Sequence, residues 1–173
     1  MNIPNKLTIL RIALIPACLA LWALNLPVWA AAVFALAAFT DFLDGYIARR
    51  QGLVTTFGKF ADPVADKILV LTSMIFLAAS SRLSPWAAAI VAARELLVDG
   101  LRLVAVGKGQ VMAAGWLGKI KTNLQILCVL LAMLLPAGHW LVIVAEILMA
   151  AMTVWSGADY FWKARSVFRE EQA

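Results

Sequence analysis

Histidine occurs once in this sequence and cysteine twice, and charged side chains make up only 14% of it. Each scarcity removes a class of protein. Ordinary soluble domains carry about 25% charged residues, so a chain that is 64% hydrophobic, with a mean hydropathy of +0.88, is read as a membrane protein. The single histidine, His139, falls at the expected outer face, opposite the acidic residues near the cytoplasmic side, which argues against a zinc centre. The cysteines, Cys18 and Cys128, each stand in the middle of an apolar stretch, out of reach of oxidants and hydrophilic metals, and are read as packing residues. Low-complexity segments, linkers and repeats of roughly 20 to 50 residues are also missing. The basic residues are interleaved with apolar spans and no binding module is evident, so nucleic acid is not expected as a partner.

What is present is a series of long apolar runs. A spanning helix takes roughly 20 apolar residues, and six stretches qualify, at about 7–26, 27–48, 61–79, 85–106, 116–135 and 139–161. The expected fold is an all-α integral membrane protein, a six-transmembrane-helix bundle in which residues 1–173 form a single domain. The first run begins with Lys6 and Arg11 in the manner of a secretion signal, but no small-residue cleavage site followed by a soluble domain comes after it, so it is kept as a helix. Pro27 and Pro85 open stretches and Pro136 follows one, as proline at helix boundaries does.

Of the 15 Lys and Arg residues, only Arg82 falls near the connections around 26, 82 and 137. The positive-inside rule then puts both termini, and the segments around 49–59 and 102–121, on the cytoplasmic side of a multi-pass protein. A bacterial cell inner membrane suits so compact a chain. The net charge of +5 gathers on that side and suits anionic lipid headgroups and phosphorylated substrates. Trp29, Trp86 and Trp140 fall near predicted outer ends, and Trp116 and Trp162 near inner ends, as an aromatic belt requires.

The stretch DFLDGYIARRQGLVTTFGKFADPVAD, residues 41–66, holds four aspartates. Asp41 and Asp44 are three apart and Asp62 and Asp66 four apart, so each pair shares a helix face. A turn of about 12 residues is expected between the helices, letting the pairs converge. One ionised carboxylate at the membrane centre costs about 2.5–3.5 kcal/mol on insertion scales, and mutual repulsion adds to it. A hard divalent cation offsets that cost, and an all-oxygen set suits Mg, Mn or Ca. Four carboxylates can hold two ions about 3.5–4 Å apart, the arrangement that serves phosphoryl transfer. Gly45, Ala48, Gly58 and Ala61 leave room for a bulky group, Arg49 offers a fork to a phosphate, and Thr55 and Thr56 add hydroxyls in the turn. The plainer alternative is an interfacial salt-bridge cluster with Arg49, Arg50, Lys59 and Lys67. A small divalent-cation transporter would also carry intramembrane acids, but here they lie at one face and no polar chain continues across to the other.

This stretch is similar to the signature of the CDP-alcohol phosphotransferase family, D-x-x-D-G-x-x-A-R-x(8)-G-x-x-x-D-x-x-x-D, met without departure by Asp41, Asp44, Gly45, Ala48, Arg49, Gly58, Asp62 and Asp66. The resemblance implies a bundle of six transmembrane helices with its active site at the cytoplasmic side. It implies that Asp41, Asp44 and Asp62 ligate two Mg2+ or Mn2+ ions, with Asp62 bridging. Asp66 would act as general base toward an alcohol while also touching a metal. Gly45, Ala48, Arg49, Thr55 and Gly58 would line the site for the CDP-linked donor. The implied reaction is displacement at the donor's β-phosphorus by a hydroxyl, releasing CMP. An ordinary aspartate, with a pKa near 3.9, is a weak base for an alcohol, so proton loss must come late or the surroundings must raise its basicity.

Further segments bear on donor and acceptor. In NIPNKLTILR, residues 2–11, Asn5, Thr8 and Arg11 stand on successive turns. The segment resembles the amino-terminal motif of the branches whose donor is CDP-diacylglycerol, although a cap and a positive-inside arginine explain the same residues. AARELLVDGLR carries Arg94 and Arg102, and GKIKT carries Lys119 at the expected helix entry and Lys121 in its first turn. With Lys59, these cations are expected to receive a phosphate on the acceptor. The segments resemble those of the branch whose acceptor is glycerol 3-phosphate, which implies phospholipid biosynthesis. A cardiolipin-making branch, or another acceptor of the family, is the alternative, because phosphatidylglycerol also carries a phosphate. Glu95, Asp99 and Arg102 have the spacing of a salt-bridge ladder. Glu146, inside the last helix, is expected to reach the outer surface or a partner subunit, and a homodimer is compatible with such a bundle.

Overall fold

The computed structural model describes the backbone of residues 3–51, 56–108 and 115–169, and side chains within 6–40, 64–108 and 115–165. Among them are six helices and no strand: α1 Ile3–Ala23, α2 Pro27–Gln51, α3 Thr56–Ala79, α4 Pro85–Gly107, α5 Trp116–Leu134 and α6 Trp140–Arg169. Proline opens α2 and α4, where its fixed φ suits the first turn and its missing N–H costs nothing. The three connections at that end each contain one positive φ, at Asn25 (59°), Ser81 (56°) and Gly138 (76°), which lets the chain reverse within a few residues.

Among the described residues, the stretches Lys6–Ala23, Trp116–Leu134 and Trp140–Arg165 are long and apolar enough to cross a membrane, and the described side chains of α2, Pro27–Thr40, are apolar as well. The protein is a multi-pass membrane protein. Charges on α3 and α4 dilute their apolar character, but Arg94 and Glu95 of α4 are buried rather than turned to lipid. Trp29, Trp86 and Trp140 are exposed at one end of the helices, and Trp116 and Trp162 at the other, as expected of an aromatic belt.

The predicted spans match the helices, but α2 runs on to Gln51, α3 starts at Thr56 and α6 continues to Arg169. Hydropathy marks the apolar stretch, whereas a helix continues through polar residues beyond it. The expected turn of about 12 residues is therefore wrong. Only residues 52–55 separate the two helices, and these lie outside the described residues. Thr56 is helical, Asp62 falls in the second turn of α3 and Asp66 in the third.

Packing follows the apolar faces. Helix α1 lies on α2 and α3, α2 on α3 and α5, α3 on α4 and α5, and both α4 and α5 on α6. The core between them includes Phe34, Leu69, Met74, Leu77, Val91, Val129, Met133 and Met149, and both cysteines are fully buried within it. Cys18 donates to the Ala30 carbonyl at 3.4 Å. Side chains also tie the connections at one end. Arg82 Nη1 donates to the Leu135 carbonyl at 2.6 Å and stands 5.7 Å from the Trp22 ring centroid. Glu146 reaches the connections at this end, where Ser84 lies. Its Oε1 accepts the backbone N–H of Ser84, the residue capping α4, at 2.5 Å, so it serves the orphan donor of a helix start in its own chain.

Candidate active site

Helices α4 and α5 do not pack on each other. The gap between them, closed by α3 and α6, is a cavity of about 500 Å³. It lies toward the end of the bundle where α4 finishes and α5 begins. Asp66 of α3, Arg94 and Arg102 of α4, and Lys119 and Lys121 of α5 all line it. The structure thus brings together the general-base candidate and four of the five cations expected to bind the acceptor.

One carboxylate organises the wall. Glu95 is buried on α4 and accepts a hydrogen bond from Lys121 Nζ of α5. Arg94 Nη1 stands 3.4 and 3.5 Å from its two oxygens, and Lys67 Nζ of α3 is 4.0 Å away. Lys67 donates to Asp99. The predicted ladder along α4 is not made, because Glu95 and Asp99 reach across to lysines of α3 and α5. Arg102 turns instead to α6 and donates to the Tyr160 hydroxyl at 2.5 Å.

Cations held in this way still have donors to offer. Arg94 Nε and Nη2, Arg102 Nε and Gln125 Nε2 are buried without a hydrogen-bond partner among the described residues. A buried donor left unfilled costs about 1–3 kcal/mol, and more when charged, so the wall is suited to an anionic oxygen ligand. Lys119 and Lys121 diverge as two residues on one helix must: Lys121 is buried and Lys119 exposed. Since α5 starts at Trp116, they occupy its first and second turns rather than its entry and first turn.

Asp66 is the one of the four aspartates whose side chain is described. Its oxygen chemistry suits a hard divalent ion, and the alternatives are remote. His139 begins the approach to α6, about 30 Å from Tyr160 by helical rise, and the cysteines sit in the apolar core. Among the described residues no group of three or more His, Cys, Asp or Glu is placed to hold a metal. The expectations for Asn5, Asp41, Asp44, Gly45, Ala48, Arg49, Thr55, Gly58, Lys59 and Asp62 fall on side chains outside the described residues. Thr8 is buried on α1, as is Arg11 three residues on, and neither lines this cavity.

Sequence reasoning missed Gln125 and Tyr160, both lining the cavity. An amide inside an apolar helix is a signal that could have found Gln125, and Asn123, two residues before it, lines the cavity too. Tyr160 lies near a helix end among Phe161 and Trp162, where an aromatic residue reads as part of the interfacial belt.

Fold and cavity are those of a multi-pass membrane protein with a charged pocket between its helices. Residues 1–155 match the family described as CDP-alcohol phosphatidyltransferase, and the chain belongs to that family. It is 44% identical over 143 residues, 74% of each chain, to the CDP-diacylglycerol–glycerol-3-phosphate 3-phosphatidyltransferase of Bacillus subtilis. Proteins of the same name from Rickettsia bellii, 40% identical over 96% of this chain and 97% of theirs, and from Escherichia coli K12, 38% identical over 95% and 96%, are similar along nearly the whole length.

Proposed function

We propose that the protein transfers the phosphatidyl group of CDP-diacylglycerol to glycerol 3-phosphate, giving phosphatidylglycerophosphate and CMP, with residues 1–173 acting as one domain. The observation that carries this reading is the set of buried donors on Arg94, Arg102 and Gln125 that find no partner among the described residues, in one cavity with Asp66. A phosphate monoester fills such donors, and a neutral alcohol has no use for them. The names of the relatives point the same way.

In this reading Arg94, Arg102, Lys119 and Lys121, with Lys59, hold the acceptor's phosphate and so bring its free hydroxyl toward Asp66. Asp66 takes the hydroxyl proton as the oxygen attacks the β-phosphorus of the donor. A new P–O bond forms to glycerol 3-phosphate, and the bond to the CMP oxygen breaks with its electron pair leaving on CMP. Asn5, Thr8, Gly45, Ala48, Arg49, Thr55 and Gly58 bind the donor. Asp41, Asp44 and Asp62, together with Asp66, hold two Mg2+ or Mn2+ ions, whose charge when bound neutralises the diphosphate and the departing CMP. In this reading both termini and this end of the bundle face the cytoplasm from the inner membrane, an orientation the Lys and Arg distribution supports, so the lipid donor enters sideways between helices and the acceptor from water.

The test is CMP release from purified protein given CDP-diacylglycerol and Mg2+ or Mn2+, with glycerol 3-phosphate, phosphatidylglycerol, serine or inositol phosphate offered separately. Release with glycerol 3-phosphate alone is expected. Release with a different acceptor alone refutes the acceptor assignment.

A further inference from the structure

Part of the cavity wall comes from the segment of α6 that follows residue 155, where the family match ends. Ser156, Gly157, Tyr160 and Ala164 are buried there, at the spacing that forms one helix face, and Gly157 and Tyr160 of that face meet α4. Gly157 is where the stem of Arg94 crosses, and a Cβ there would stand 3.3 Å from Arg94 Cγ. Tyr160 is 3% exposed. The guanidinium carbons of Arg94 and Arg102 lie 5.4 and 5.1 Å from its ring centroid, within the range in which a ring face attracts a cation. Its hydroxyl accepts from Arg102 Nη2 at 2.5 Å and from the Gly115 N–H at 3.2 Å. One side chain of α6 therefore holds both arginines of α4 and the start of α5.

Arg94 and Arg102 are eight residues apart on α4 and carry like charges, so nothing in α4 alone draws them to one point. The ring does, and the hydroxyl fixes the rotation of Arg102. These contacts leave Arg94 Nε and Nη2 and Arg102 Nε without a partner among the described residues.

We propose that Tyr160, with Gly157 beneath Arg94, is a positioning residue that sets the spacing of Arg94 and Arg102 so that their remaining donors converge on the acceptor's phosphate. This rests on the reading of the acceptor as glycerol 3-phosphate. Residues past the family match would then help select the acceptor, while the aspartate stretch carries the shared chemistry.

The test uses the full-length Tyr160→Phe protein, which keeps the ring and loses the hydroxyl, beside Gly157→Ala, which crowds Arg94. Michaelis constants for both substrates, kcat, and the thermal shift produced by inorganic phosphate are measured. The expected result is a rise of about tenfold in the glycerol 3-phosphate constant, with kcat and the CDP-diacylglycerol constant within about twofold of the parent, and a smaller phosphate-induced shift. Unchanged acceptor constants and phosphate shifts in both variants overturn the proposal, as does a fall in kcat with no preference between the substrates. A parent protein that ignores glycerol 3-phosphate, yet loses its phosphate shift on Tyr160→Phe, refutes the acceptor reading and supports the positioning role.

Discussion

Lys121 of α5 donates to Glu95 of α4 across a gap where the two helices do not pack on each other. The pair is buried on both sides, and it joins the walls of the cavity through side chains alone. Removing one member of such a pair leaves a buried charge uncompensated, which typically costs about 3–5 kcal/mol. Glu95→Gln is therefore expected to destabilise the protein by roughly 3 kcal/mol. Thermal unfolding in detergent would show it, and adding Lys121→Met should recover part of the loss. Strictly additive losses would argue that the two residues act independently.

Arg94 and Lys121 should matter chiefly to the acceptor. Replacing either by glutamine is expected to raise the Michaelis constant for glycerol 3-phosphate by about tenfold or more, with the constant for CDP-diacylglycerol little changed. Steady-state kinetics in mixed micelles separates the two. A selective rise in the donor constant would move these cations out of the acceptor site.

Much of this was readable in advance, and the failures have physical causes. Six apolar runs give the helix order because each must satisfy its own backbone in lipid. Arg94, Arg102, Lys119 and Lys121 were legible because a phosphate on the acceptor calls for cations near the carboxylates. The length of the α2–α3 connection was misjudged because hydropathy does not report where a helix ends once it has left the apolar layer. The partner of Glu146 was invisible because Ser84 is 62 residues away in sequence. Tyr160 was hidden by its neighbours, since only packing against α4 distinguishes it from the exposed Trp162 two residues later.

Glu146 provides a contrast with the cavity. It caps α4 at the opposite end of the bundle, so Glu146→Gln should cost about 1 kcal/mol of stability and leave turnover unchanged. Paired melting and activity measurements would reveal any catalytic contribution, which would require a different role for this acid.

Asp66→Asn keeps the size of the side chain and removes its basicity. Loss of a general base typically costs about 10² to 10⁴ in rate, and a drop of that order is expected in kcat with the fold intact by circular dichroism. Full activity in the variant would remove Asp66 from the proton-transfer step.

The central claim is tested most directly by the lipid product itself. Radiolabelled glycerol 3-phosphate would be incubated with CDP-diacylglycerol, Mg2+ or Mn2+ and the purified protein, and the label extracted into organic solvent. Label appearing in phosphatidylglycerophosphate, matched mole for mole by CMP and lost in Asp66→Asn, is the predicted result. CMP released while the label stays in the aqueous phase would contradict transfer to glycerol 3-phosphate.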